Sequence, residues 1–324
     1  MNILITGSQG FIGKNLIQHL SEKKEVTLLT FSRENSLSEL PKLVNKADII
    51  FHLAGINRPK ELSEFYEGNS TFTELLCQAV LESGKTTPII FSSSTQATNQ
   101  TDYGKSKLQA EESLITLNEK TQNPIAIYRL PNVFGKWCKP NYNSVVATFC
   151  HNIFRNLPIV IDEPEKIINL LYIDDLVSEL INLPNHTKTH NNFHEINPTY
   201  SISLRKIDDV ITEFLTYITK SDHESTSKNL YKTIPITYQT TVGELANTLQ
   251  NFHEQRQKML IDRVGDGLIR ALYATYISYL PKEQFAYPIQ KHEDPRGRFV
   301  EMLKTQDSGQ FSYFTALPGI TRGG

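Results

Sequence analysis

Tyr103 and Lys107 stand four residues apart in Tyr103-Gly-Lys-Ser-Lys107, so a helix would carry both on one face. A phenol with a pKa of about 10 is a poor acid–base group at neutral pH unless a nearby ammonium stabilises its phenolate. The spacing recurs in Tyr287-Pro-Ile-Gln-Lys291, and context separates the two copies. Tyr103 comes soon after the apolar run Pro88–Phe91 and the triplet Ser92-Ser93-Ser94, so a hydroxyl at a strand's C-terminal end can face the phenol. Tyr287 has a proline beside it and no serine strand, and reads as a surface residue. Ser94 is taken as the facing hydroxyl, although Ser92 or Ser93 would satisfy the sequence equally well.

A second constellation has the make-up of a binding loop. Gly7-Ser-Gln-Gly10-Phe11-Ile12-Gly13 lies directly after the apolar run Asn2–Thr6 and at the mouth of a helical pattern. In such a loop one glycine makes a tight turn, one lets the backbone touch a pyrophosphate and one allows close helix packing, while the helix start offers amide donors. The residue that discriminates between the two dinucleotides is expected about 20 residues later. There the chain has Ser32-Arg33, and an Arg can accept a 2′-phosphate, which favours NADPH; a shift of one residue would put Glu34 there and favour NAD.

These residues need strands and helices to position them, and the chain supplies both. Asn2–Thr6, Val26–Phe31, Asp48–Leu53, Pro88–Ser92 and Pro124–Leu130 read as strands, interleaved with helical patterns over Phe11–Leu20, Thr71–Leu81 and Tyr103–Leu114. That alternation predicts a Rossmann-type, doubly wound parallel α/β sheet. From about 136 to 240 the periodicity weakens into short elements such as Ile168–Ile173 and Phe193–Ile196, read as a smaller substrate lobe. Residues 241–281 turn helical, beginning in the capping box Thr241-Val-Gly-Glu244 and ending before Pro281, and from Phe285 short alternating strands follow.

Composition narrows the class. Lys and Arg number 33 against 35 Asp and Glu, so no excess charge favours nucleic acid or a membrane surface. No apolar run approaches the roughly 18 residues of a membrane span, and the N-terminus shows no signal pattern, so a cytoplasmic protein is expected. Cys77, Cys138 and Cys150 are widely spaced and read as ordinary thiols. His186, His190 and His194 recur at helical spacing, but the surrounding Pro and Asn predict a loop, so no metal site is expected. His52 reads as a hydrogen-bonded core histidine.

Together with Asp48-Ile-Ile-Phe-His52-Leu-Ala-Gly55 at the fourth-strand position, Arg129-Leu-Pro-Asn132-Val-Phe-Gly135 and Tyr172-Ile-Asp-Asp175, these motifs resemble the extended short-chain dehydrogenase/reductase superfamily over residues 1–240. The resemblance implies Tyr103 as proton donor, Lys107 as holder of the nicotinamide ribose and depressor of the Tyr pKa, and Ser94 as partner of the substrate carbonyl. It further implies cofactor contacts from Gly7, Gly10, Phe11, Ile12, Gly13, Arg33, Leu53, Ala54, Gly55 and Asn69. Two departures matter. Thr95-Gln96 stands where the superfamily's dehydratases carry Asp-Glu, which disfavours dehydration; Ile168 replaces an Arg that grips the substrate diphosphate in many members. Arg58, Asn132 and Lys136 are the remaining substrate candidates, with Lys139 and Arg155 beside them in sequence.

More specific strings, Ala54-Gly-Ile-Asn-Arg-Pro59, Gly135-Lys-Trp-Cys-Lys-Pro-Asn-Tyr-Asn-Ser144 and Leu272–Pro281, are similar to the CapF-like reductases of capsule and O-antigen synthesis. That resemblance implies NADPH-dependent reduction at C4 of a UDP-4-keto-6-deoxy-N-acetylhexosamine, giving UDP-2-acetamido-2,6-dideoxy-L-talose on the way to UDP-N-acetyl-L-fucosamine. It also implies a cupin epimerase domain, whose opening is carried by Asp294-Pro-Arg-Gly-Arg-Phe-Val-Glu301 and Pro318–Gly324. The family's His-x-His ligands would follow Gly324, so residues 282–324 are expected to form an incomplete all-β fragment without zinc or C3-epimerase activity. A homodimer is expected. The alternatives are an NAD-retaining sugar-nucleotide 4-epimerase and a dinucleotide-binding scaffold without catalysis.

Overall fold

The computed structural model describes residues 1–182, 230–306 and 309–319, in two compact units. The first holds residues 1–131 and 173–237, the second 132–172 and 238–324. The expected strand Phe193–Ile196 and the histidines at 186, 190 and 194 lie outside the described residues.

In the first unit β1 (Asn2–Thr6), β2 (Thr27–Phe31), β3 (Ile49–His52), β4 (Ile89–Ser94), β5 (Ile125–Leu130) and the short β8 (Tyr231–Lys232) form one sheet in the order β2-β1-β3-β4-β5-β8, every pair parallel. Ile3, Leu4 and Ile5 of β1 and all of β3 are buried, as a strand covered by helices on both faces requires. The helices of this unit are α1 (Phe11–Ser21), α2 (Leu40–Lys46), the single turn α3 (Ser63–Phe65), α4 (Phe72–Ser83), α5 (Asp102–Thr121) and α7 (Ile173–Asn182). A π-turn, Tyr66–Thr71, joins α3 to α4.

One expectation needs correcting. The segment around His52 is the third strand in chain order, not the fourth, because only a 3-10 turn (Leu37–Glu39) and α2 separate β2 from it. Chain order reverses between β2 and β3 on either side of β1. The C-terminal ends of β1 and β3 therefore mark the switch point where open α/β sheets bind ligands.

In the second unit β6 (Asn132–Phe134) pairs parallel with β7 (Ile167–Tyr172), which pairs antiparallel with β9 (Tyr238–Thr241). Three helices, α6 (Val145–Phe154), α8 (Val242–Gln257) and α9 (Gly267–Ser278), share an aromatic core in which Phe154 stacks on Tyr276 at 3.9 Å and Phe252 lies 5.8 Å from the same ring. The capping box at the start of α8 is formed in both directions, Glu244 N donating to Thr241 Oγ1 at 3.1 Å and Thr241 N to Glu244 Oε2 at 3.1 Å. A small sheet, β10 (Leu260–Ile261), β12 (Gly297–Thr305) and β11 (Lys291–Asp294), carries β13 (Gln310–Ala316) antiparallel on β12. Among the described residues no helix is long and apolar enough to cross a membrane, and no group of three or more His, Cys, Asp or Glu could hold a metal ion.

Candidate active site

Gly7 leaves β1 with φ +70°, and a Cβ there would meet Ala54 N at 2.6 Å, so the loop after β1 lies directly against the loop after β3. A Cβ on Gly13 would come within 3.0 Å of Gly7 O. The turn is closed by Gly10 N donating to Gly7 O at 2.8 Å. Gly10 caps α1 without a side chain and the first helical turn carries no acid, which leaves the first-turn amides of Phe11, Ile12 and Gly13 to an anion. These features fit the pyrophosphate of a dinucleotide.

Ser8 ties this loop to the end of β2, its backbone N–H and its Oγ each donating to Phe31 O at 3.3 Å. Two residues beyond Phe31, exposed Arg33 sits in a turn that Asn35 closes by accepting from Ser32 N at 2.9 Å. Arg33 is thus carried on the strand end to which the glycine loop is tied.

The third wall is the loop after β3. A Cβ on Gly55 would meet Asn69 Oδ1 at 3.0 Å and Lys107 Nζ at 3.7 Å, so Leu53, Ala54, Gly55, Asn69 and Lys107 come together. The π-turn presents Asn69 inward. Its amide accepts from Ile56 N at 2.8 Å and donates to Ile56 O at 3.0 Å and Ser106 Oγ at 2.9 Å. The signal for this turn in the sequence is weak, because its polar residues have no helical stripe.

On the far side, Ser94 ends β4 and Tyr103 begins α5. Tyr103 is held by Thr101, whose Oγ1 caps the helix by accepting from Gly104 N at 3.1 Å. The pleat separates the serines. Ser93 turns to Glu111, Ser92 Oγ reaches His52 O at 3.4 Å, and Ser94, which accepts from Gln96 N at 3.1 Å, faces the Tyr103 phenol closely enough to lower its pKa. Burial raises the Tyr103 phenol above its ordinary pKa and the Ser94 hydroxyl lowers it in part, so the phenol holds its proton at neutral pH. Lys107 donates from Nζ to Ser92 O at 2.8 Å and lies 4.2 Å from the Phe91 ring centroid. Burial brings its pKa down to about 7, against the pull of Glu111. The hydroxyl that acts on the phenol is therefore that of Ser94, with the ammonium one helical turn along.

Gly104 lets Tyr103 sit so close. A Cβ there would come within 3.0 Å of both Gln96 O and Asn99 O, backbone atoms of the 3-10 turn after Ser94. Gly104→Ala must push α5 away from that turn, and a displacement of about 1 Å lowers kcat by about 100-fold. Steady-state turnover, with cofactor affinity measured separately, checks this.

Of the remaining candidates, Arg58 is exposed in the loop after β3. Asn132 and half-buried Lys136 belong to the second unit, where Asn132 donates to Asn169 O at 3.3 Å and Lys136 lies 5.6 Å from the Trp137 ring centroid. Sequence reasoning overlooked Glu111, which is fully buried. Its signal was available, since Tyr103, Lys107 and Glu111 recur every four residues along one stripe of α5.

Comparison with known proteins places this geometry. The model of the NAD dependent epimerase/dehydratase family matches residues 3–197, and that of the polysaccharide biosynthesis C-terminal domain matches residues 292–324. The chain is 45% identical over its whole length to a UDP-2-acetamido-2,6-beta-L-arabino-hexul-4-ose reductase of Pseudomonas aeruginosa, covering 77% of that protein. It is 22% identical over 62% of its length to a UDP-glucose 4-epimerase of Vibrio cholerae, covering 72% of it. Among solved structures it resembles the capsular polysaccharide assembling protein CapF of Staphylococcus aureus, with 36% identity and a TM-score of 0.80, over 100% of this chain and 78% of that one.

Proposed function

The chain belongs to the NAD dependent epimerase/dehydratase family, and on that premise we propose that it is a nucleotide-sugar reductase that uses NADPH to reduce the C4 ketone of a UDP-4-keto-6-deoxy-N-acetylhexosamine. The chemistry is carried by one observation, the Ser94 hydroxyl set close enough to the Tyr103 phenol to lower its pKa, beside the glycine cradle at the sheet's switch point. The named Pseudomonas relative supports the substrate class, with UDP-2-acetamido-2,6-dideoxy-L-talose as the proposed product.

Bound NADPH would supply the hydride. Gly7, Gly10, Phe11, Ile12 and Gly13 would hold the pyrophosphate, Arg33 the 2′-phosphate, and Leu53, Ala54, Gly55, Asn69 and Lys107 the nicotinamide end. Ser94 would donate a hydrogen bond to the ketone oxygen, and Tyr103, which keeps its proton at neutral pH, would deliver that proton to the same oxygen as negative charge develops there. Arg58, Asn132 and Lys136 are proposed substrate contacts on their side-chain chemistry alone. The proposed organisation is a reductase over residues 1–240, a helical connector over 241–281 and the opening of a cupin over 282–324, in a cytoplasmic homodimer.

Loss of NADPH absorbance on mixing with the keto-sugar nucleotide tests the reading; purification with tightly bound NAD and 4-epimerisation of a UDP-sugar would replace it. Arg33→Ala should raise KM for NADPH by about 10- to 100-fold, the loss of a charge-assisted phosphate contact, while leaving KM for NADH unchanged. Equal effects on both cofactors would remove Arg33 from the 2′-phosphate site.

A further inference from the structure

Glu111 is fully buried, and a buried carboxylate is costly unless its lone pairs are all engaged. Here they are. Ser93 Oγ and Arg129 Nε (2.9 Å) donate to Oε1, and Arg129 Nη2 (2.6 Å) and Tyr231 OH (2.9 Å) donate to Oε2. Four hydrogen bonds from β4, β5 and β8 clamp a side chain that stands one helical turn beyond Lys107 on α5. A carboxylate so occupied has no lone pair left for a direct bond to Lys107. It acts on the ammonium through its field.

We propose that Glu111 is a positioning residue for Lys107, a fixed negative charge that favours the ammonium form while leaving its N–H groups to the site. Lys107 spends one N–H on Ser92 O, and an ion pair with Glu111 would consume another. The arrangement supports the charge from behind. The inference rests on the proposed reductase chemistry, in which Lys107 serves the nicotinamide ribose, and it names the group on which that service depends.

The other groups facing Lys107 make this support necessary. Tyr103 is one turn earlier on α5, His52 of β3 is close enough for Lys107 to lower its pKa, and Phe91 covers the ammonium. Beyond Glu111 stand the Arg129 guanidinium and Tyr231, stacked at 4.6 Å from cation to ring centroid. Among the described residues, every group facing the ammonium apart from Glu111 is either neutral or positive at neutral pH. With the lysine brought by burial to about 7 even beside Glu111, and so about half charged at neutral pH, losing that one charge would shift it further to the neutral amine.

The test reads Lys107 directly, in the full chain and without substrate. Protein carrying 13Cε-labelled lysine is titrated by NMR, with the resonance assigned through Lys107→Arg. The Lys107 signal should titrate near 7 in the wild type, and in Glu111→Gln lower by about one pH unit or more. Ser93→Ala and Tyr231→Phe each remove one hydrogen bond and keep the charge, so they should lower the melting temperature without moving the titration. A structural role alone predicts lost stability in all three and an unmoved Lys107 signal, and that result overturns the proposal. If Glu111→Gln does not fold, Arg129→Gln decides: removing the opposing positive charge should move the titration up, and no movement refutes the field effect. Active Tyr103→Phe would sink the reductase chemistry without touching this titration, so the two failures are separable.

Discussion

Tyr103→Phe should lower kcat for keto-sugar reduction by about 100- to 10,000-fold, the range that a positioned general acid contributes. The substitution removes one oxygen and keeps the ring, whose centroid lies 5.6 Å from that of Phe65, and the helix it stands on is capped by Thr101 rather than by the phenol. The lost hydroxyl faces Ser94, which keeps Gln96 N as a partner, so the fold should lose no more than about 1 kcal/mol. Cofactor affinity should hold. Equilibrium titration of NADPH fluorescence together with stopped-flow turnover separates the effects, and unchanged turnover would show that the ketone takes its proton from elsewhere. Ser94→Ala should fall between the variant and the wild type, because the phenol remains but the second donor to the ketone is gone.

That prediction uses residues readable in the sequence, because each announces itself locally. A glycine triplet after a strand and a Tyr-x-x-x-Lys after a serine run are short-range patterns, and the capping box Thr241–Glu244 is made by residues three apart. The strand Gln310–Ala316 was legible for the same reason, with turn residues bounding a short β-rich run. Local patterns fail where the cause is distant. Glu111 gains its meaning from Ser93, Arg129 and Tyr231, which lie 18, 18 and 120 residues away. The choice among three consecutive serines depended on the phase of the pleat against α5, which composition does not contain. Helix α6 (Val-Val-Ala-Thr-Phe-Cys-His-Asn-Ile-Phe) buries Val146, Ala147, Cys150, Ile153 and Phe154 in one stripe at helical spacing, a signal local to the sequence, whereas α2 is too short to establish one.

His52 should make the protein acid-labile in a defined window. Its Nδ1 lies 2.7 Å from Thr6 Oγ1 and its Nε2 2.8 Å from Thr73 Oγ1. Thr73 already donates its hydroxyl proton to Asn69 O at 2.6 Å, so towards the imidazole it can only accept, and Nε2 must carry the proton. Nδ1 is then the acceptor, taking the Thr6 proton, while Thr6 Oγ1 accepts from Ala54 N at 3.4 Å. Every proton in the chain is used once. A second proton on the imidazole would face the Thr6 hydroxyl and strand its hydrogen, and the ring is fully buried with Lys107 nearby; burial first and that charge second bring its pKa down to about 3. The unfolded chain takes up this proton near 6.5 and the folded one near 3, so between those values the unfolded state binds more protons and stability falls with falling pH. The slope is about 1.4 kcal/mol per pH unit, and the full contribution, present above 6.5 and gone at about 3, is about 4 to 5 kcal/mol. Urea unfolding of wild type and His52→Gln at pH 8, 6.5, 5 and 4 measures it. The variant should be the less stable at pH 8 and should lose its disadvantage as the pH drops; parallel curves for the two proteins would remove the imidazole as the cause. Because the folded imidazole stays neutral down to about pH 3 and Thr73 hangs from Asn69 O, the π-turn that presents Asn69 should hold until the chain unfolds. Dinucleotide affinity should therefore follow the folded fraction as the pH drops, and affinity lost ahead of unfolding would point to a different group.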